Sequence, residues 1–243
     1  MKRIAYSILL ASLSWSCTKE VQKSEEVLPA EKVYLGSTEG KIQKYREDSQ
    51  KYWDKGDSEN AQKYRDSIKA VVVNTYLKEY TFTSLSGSVF ETARQPKPML
   101  LQITASWCVP CRAEIPALNQ IVEKFQDQID FVLLFQDQAD GLTSLAKEYN
   151  SAITLVPSHK EVSDPNTIDI AGFRHTMGFP SNYLVTAENK VVNFTQGAQA
   201  PRNYTGEDGK EVIITVEEAN RQNFERLEAE IKDLLQKSAV HNF

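Results

Sequence analysis

The stretch Leu100-Leu101-Gln102-Ile103-Thr104-Ala105-Ser106-Trp107-Cys108-Val109-Pro110-Cys111-Arg112-Ala113-Glu114-Ile115-Pro116 decides how the chain is read. Its first five residues, after Pro96 and Pro98, form a short apolar run that suits a buried strand. From Cys111 onward the period changes: Ile115, Leu118, Ile121, Val122 and Phe125 share one helical face. Two cysteines three apart therefore stand where a strand gives way to a helix. That spacing puts both sulfurs on one side of the first helical turn, within reach of a disulfide. A thiol there also faces unpaired N–H groups and the positive end of the helix dipole, which favour its thiolate. Cys108 is accordingly the expected nucleophile. Pro110 fits a first turn that needs no N–H from it.

Working outward, residues 131–135 and 153–156 read as further buried strands, with a helix over 141–149 between them. Residues 183–185 and 191–194 flank Ala187-Glu188-Asn189-Lys190 and read as a hairpin. Thr215 caps a last helix, with Glu218 completing a capping box and Phe224, Leu227, Ile231 and Leu234 as its apolar stripe. Strands alternating with helices, then a hairpin and a helix, predict an α/β fold: a central mixed sheet flanked by helices, with an antiparallel edge. On the N-terminal side, residues 38–78 carry two helical stripes. One is Ile42, Tyr45, Ser49, Tyr52 and Trp53; the other is Ala61, Tyr64, Ile68, Val71 and Val72. Asp54-Lys55-Gly56-Asp57 breaks them, and Asp57 or Ser58 caps the second. This helical extension, 38–79, either packs on or spaces the main domain, 80–238, or docks a partner.

The N-terminus has the form of a secretory signal. Lys2 and Arg3 precede an apolar stretch, 4–13, too short to span a bilayer permanently. The arrangement Ser14-Trp15-Ser16-Cys17 resembles the cleavage box of bacterial lipoproteins, which implies removal of 1–16 and a lipid on Cys17. Removing Lys2 and Arg3 would take the net charge from −5 to −7. The other reading is a plain secretory signal with an unrelated cysteine. Residues 17–37, polar and charged with Pro29 and Gly36, read as a flexible tether.

Composition narrows the function classes. The 243 residues carry a net charge of −5, with no basic excess to neutralise phosphates, so no nucleic-acid partner is expected. Three cysteines are too few for a disulfide scaffold or a four-thiolate zinc site. His159, His175 and His241 lack metal-pair spacing, so no metal is expected. His159 and His175 read as loop residues, and His241 as part of a frayed tail.

The run from Trp107 to Pro116 resembles the active site of the TlpA/ResA-like thiol–disulfide oxidoreductases of the thioredoxin superfamily. Glu114 matches the acidic residue of the ResA-like branch, and Pro116 the proline that kinks its active-site helix. Ordinary thioredoxins bury an aspartate where Gln102 stands, which leaves Glu114 as the candidate acid. Met177-Gly178-Phe179-Pro180-Ser181 resembles the family's cis-proline loop, and residues 80–87 its first strand. The likeness covers about 80–236 and departs at 158–176 and 198–214, where loops look inserted or altered. It implies a thioredoxin-like fold and protein-disulfide reduction by Cys108 attack and Cys111 resolution, with Glu114 taking the proton. The substrate groove would be formed by Trp107, Val109, Pro110, Phe179 and Pro180. It implies no cofactor beyond the Cys108–Cys111 disulfide. Its partners would be protein disulfides, such as those of apocytochrome c or misoxidised envelope proteins, an upstream membrane thiol reductant, and a membrane through the lipid on Cys17. The setting would be the cell envelope. A tethered oxidant or isomerase, and a non-catalytic binding module, are the other classes that the sequence leaves open.

Overall fold

The computed structural model describes residues 31–160, 164, 167–206 and 208–240. The signal, Cys17 and most of the tether lie outside them, as does His241.

The centre is a five-stranded sheet. β1 (Thr81–Thr83) and β2 (Val89–Glu91) form a small antiparallel pair before it. β3 (Met99–Thr104), β4 (Asp130–Gln138) and β5 (Thr154–Ser158) run parallel. A hairpin, β6 (Ile168–Ile170) with β7 (Phe173–His175), follows. Then β8 (Ser181–Val185) returns antiparallel to β3 and β9 (Val191–Gln196) antiparallel to β8, giving the order β5-β4-β3-β8-β9. A last hairpin, β10 (Arg202–Thr205) with β11 (Glu211–Ile214), stands apart. The regions 158–176 and 198–214, expected as altered loops, thus each contain a β-hairpin.

Alternation along β3 sorts the core into two layers. Met99, Leu101 and Ile103 face one side with Val132, Leu134, Tyr183 and Val185. Leu100 faces the other with Phe131, Leu133 and Leu184. This second face is covered by α3 (Val109–Phe125) and α5 (Val216–Val240), through Ile115, Leu118, Ile121, Leu227, Ile231 and Leu234.

The first face is covered by the N-terminal helices α1 (Glu39–Trp53) and α2 (Ser58–Val72). Ile42, Ile68 and Val72 join the same apolar cluster as Tyr183, Val191 and Phe194. The helices break at Gly56, whose φ of 74° suits glycine, and Asp57 accepts the N–H of Asn60 to cap α2. Tyr64 rings against Tyr45 and Tyr52 join the pair. Trp53 is the exception to the expected stripe: it lies at the helix end and is exposed.

Four other expectations need correction. The helical stretch ends at Val72, not near residue 78. Beyond it the backbone runs along the free edge of β9, with Asn74 N–H donating to Val191 O and Val191 N–H to Thr75 O, both at 2.8 Å. Tyr76 pairs further with Tyr34, so the chain is already in the fold at Val33 and Leu35, within the stretch read as tether. The single helix expected over 141–149 is two short turns, α4 (Ala139–Leu142) and a 3-10 turn, Leu145–Glu148. The capping box of α5 is half formed. Thr215 Oγ1 accepts the Glu218 N–H at 3.1 Å, but the Glu218 carboxylate turns to Arg221. The described residues from Lys32 onward cluster as one compact unit.

Because Ile68 lies in the core shared with the sheet, Ile68→Ala is expected to cost about 2–5 kcal/mol in urea unfolding. The loss should appear in one transition, followed alike by far-UV circular dichroism and by tryptophan emission. Separate transitions would mean that the helical pair melts on its own.

Candidate active site

β3 ends at Thr104 and a short turn leads to Cys108, the N-cap of α3. Pro110 occupies the first turn, as its missing N–H allows. Cys108 and Cys111 form a disulfide, with an S–S distance of 2.10 Å and Cα atoms 5.3 Å apart. The Cys111 N–H donates to Cys108 Sγ at 3.3 Å, so an orphan donor of the helix terminus already points at that sulfur. Each cysteine is only 4% exposed, beneath a rim where Trp107 is 55% and Val109 68% exposed. The two cysteine residues are thus sheltered alike, whereas sequence reasoning distinguished them by dipole alone.

Antiparallel pairing brings the second motif to the same place. Ile103 at the end of β3 lies opposite Ser181 at the start of β8. The loop before β8 therefore meets the cysteines, and its Phe179–Pro180 peptide is cis. Phe179 packs against Ala105, Cys108 and Cys111. Its ring meets Trp107 edge-on, with centroids 5.7 Å apart. Pro180 is buried.

His175 is not a loop residue. It lies on β7, 1% exposed, with Nδ1 2.8 Å from Tyr183 Oη and Nε2 2.9 Å from Gly178 O. Its ring also stacks on Phe179. It props the cis-proline loop from beneath, and burial lowers its pKa to about 4.

Under α3 lies a buried polar chain. Glu114, one turn beyond Cys111, is 1% exposed. Its Oε2 accepts from Gln102 Nε2 at 2.8 Å, and the same amide donates to Asn182 Oδ1 at 3.0 Å. Register explains this, since Gln102 and Asn182 are direct partners on β3 and β8. Glu114 Oε1 pairs with Arg226 of α5. Arg226 also donates to Glu230 Oε1 at 2.8 Å. Burial is the main cause that lifts the Glu114 pKa to about 7; Arg226 and Gln102 pull it down and Glu230 pushes it up. Tyr149 is buried nearby, and burial and the Glu114 charge hold its phenol above the usual range.

The rim is braced from β4. The pairing of β4 with β5 shifts register between Leu134 and Gln138, a bulge of the kind that re-aims side chains near sites. Gln136 Oε1 accepts the Trp107 indole N–H at 2.9 Å, and Asp137 accepts from the Ser106 backbone N–H at 2.7 Å.

The structure therefore gathers Trp107, Cys108, Val109, Pro110, Cys111, Glu114, Phe179 and Pro180 at one end of the sheet. His159 is exposed just past β5. Arg226, Glu230, Asn182, His175 and Gln136 escaped the sequence reading. Arg226 and Glu230 did leave a trace: they are charges four apart bordering the stripe of Leu227, Ile231 and Leu234. Among the described residues no group of three or more His, Cys, Asp or Glu side chains is placed to hold a metal ion.

Residues 81–171 match the family model for thioredoxin. Thioredoxin H2 of Arabidopsis thaliana is 38% identical over 68 residues, 28% of this chain and 47% of that protein. The chain thus spans about half the length of some curated relatives that it matches. The thiol-disulfide oxidoreductase ResA of Bacillus thuringiensis is 24% identical over 127 residues, 49% of this chain and 67% of that protein. A crystal structure described as a thiol:disulfide interchange protein DsbE from Chlorobium tepidum aligns with a TM-score of 0.45 and 19% identity, over 65% of this chain and 94% of that one.

The two buried titratable groups impose opposite pH dependences on stability. Glu114 titrates higher folded than unfolded, so its contribution is full below about 4.5 and is lost as pH rises through about 7. His175 titrates lower folded, so its contribution is full above about 6.5 and is lost as pH falls through about 4. Relative to the wild type, Glu114→Gln should gain on the order of 1–3 kcal/mol between pH 5 and pH 8. His175→Phe should flatten the acid limb instead. Urea unfolding at pH 4, 5, 7 and 8 checks both. Parallel profiles for variant and wild type would refute the burial argument.

Proposed function

We propose that this chain, a member of the thioredoxin superfamily and TlpA/ResA-like, is a thiol–disulfide oxidoreductase that reduces protein disulfides outside the cytosol. The observation that carries the reading is the meeting of three parts. These are a cysteine pair at a helix N-terminus, a cis-proline loop packed on it, and a buried carboxylate with a pKa near neutrality one turn away.

The chemistry starts from the reduced dithiol. Cys108 thiolate, favoured by the helix terminus and by the N–H aimed at its sulfur, attacks one sulfur of a substrate disulfide. An S–S bond forms between Cys108 and the substrate, the substrate's own S–S bond breaks, and one substrate thiolate leaves. Cys111 then attacks Cys108 Sγ. The mixed disulfide breaks, the second substrate thiolate leaves, and the Cys108–Cys111 bond closes. Two electrons pass to the substrate, whose two thiolates take up two protons. Glu114 accepts the Cys111 proton, for which a pKa of about 7 suits it at neutral pH. An upstream thiol reductant at the membrane returns the two electrons by the reverse exchange.

Trp107, Val109, Pro110 and Phe179 form the surface that the substrate meets, with the buried Pro180 shaping the loop beneath it. Its exposed aromatic and aliphatic parts favour an unfolded or extended polypeptide over a small polar thiol. The N-terminal sequence supports placement in the cell envelope, with Cys17 as the point of lipid attachment. Among the described residues no helix is long and apolar enough to cross a membrane.

Cys108→Ser is expected to abolish insulin-disulfide reduction. Cys111→Ser should accumulate mixed disulfides on Cys108, visible on non-reducing gels and released by dithiothreitol. Glu114→Gln should leave the attack step intact and slow resolution at pH 7 by about 100-fold. Full turnover by Cys108→Ser would sink the assignment.

A further inference from the structure

Glu114 is faced from several elements. From α5 come Arg226 and Glu230, from β3 the Gln102 amide, from β8 Asn182 through that amide, and after the 3-10 turn Tyr149. On its own helix, Cys111 lies one turn back. Arg226 is the cation in hydrogen-bonding contact with the carboxylate, and it is shared. Its Nη2 serves Glu114 and its Nη1 serves Glu230, so neither acid receives the two-pronged grip that a guanidinium gives a single carboxylate. Glu230 is itself 7% exposed, and its second oxygen is buried with no hydrogen-bond partner among the described residues. Two acids thus compete for one guanidinium under low solvation. The cation is the outermost member: the Arg226 side chain is 28% exposed beside Gln62, Arg65 and Gln196.

We propose that Arg226 and Glu230 are positioning residues that set the protonation of Glu114 with opposite sign. Arg226 holds the carboxylate form, and Glu230 weakens that hold by repulsion and by taking half of the guanidinium. Neither residue touches the reacting sulfurs. Their effect on turnover passes through Glu114 and rests on its reading as the Cys111 proton acceptor. The last helix thereby tunes the pH at which the mixed disulfide is resolved, from more than a hundred residues away in sequence.

The signs make the test sharp. A purely structural role would have both residues hold one cluster together, and losing either would loosen it in the same direction. An electrostatic role requires opposite displacements. The full chain, oxidised at Cys108–Cys111, is labelled with 13C at the Glu side-chain carboxyl, and the Glu114 signal is assigned by its loss in Glu114→Gln. Its titration is followed by NMR in wild type, Arg226→Met, Glu230→Gln and Arg226→Lys. The midpoint is expected to rise by about one pH unit or more in Arg226→Met and to fall in Glu230→Gln. Arg226→Lys, which keeps the charge, should stay close to wild type and guards against a folding artefact. Displacement of Arg226→Met and Glu230→Gln in the same direction, or of neither, overturns the proposal. The pH profile of mixed-disulfide resolution is then measured by stopped-flow in the reduced proteins. Profiles that follow the NMR midpoints support the whole chain of influence. Midpoints that move as stated under an unmoved rate profile uphold the electrostatic assignment and overturn instead the role given to Glu114.

Discussion

The seating of α3 across β3 is the constraint from which the site follows. Leu100 on the strand and Ile115, Leu118 and Ile121 on the helix share one apolar layer, which fixes where the first helical turn begins. Once that turn is fixed, Cys108 must be the N-cap and Cys111 must lie one turn in. The antiparallel pairing of β8 with β3 then brings the cis-proline loop alongside, where Phe179 packs on the cysteine pair and His175 holds Gly178 O. The same alternation that turns Leu100 towards α3 turns Gln102 there too. The helix thus covers a polar group as well as an apolar one, and Glu114 answers it.

A buried carboxylate is unfavourable unless it is used or matched. Here it is matched in part. One amide and half of one guanidinium leave Glu114 poised near neutrality rather than locked in either state. A complete partnership would hold it ionised, and an apolar pocket would hold it protonated. Neither extreme lets a group take up and return a proton at each turnover.

Local signals were legible where a short stretch of chain determines the outcome. The strand-to-helix switch at residues 104–109, the Gly56 break, the Asp57 cap and the hairpin around Asn189 each rest on neighbours within a few residues. The cis-proline loop was legible through its likeness to a family. What stayed hidden depends on distant partners. Nothing near His175 reveals that Tyr183 and Gly178 O will take both ring nitrogens, so a strand residue looked like a loop residue. Arg226 went unnoticed because Glu114 is 112 positions away. Residues beyond Val72 carried helical texture, yet the open edge of β9 offered backbone partners that a helix would have forgone. The break inside 139–149 has no such single cause in the contacts.

The pairing of Tyr76 with both Tyr34 and Lys190 has a mechanical consequence. Lys190 belongs to the β8–β9 turn, while Pro180 precedes the opposite end of β8, about 17 Å away at the rise of an extended strand. The polypeptide therefore enters this unit at the pole remote from its sulfurs. Under the tethered function proposed above, a pull from upstream would act on that far pole rather than on the sulfurs.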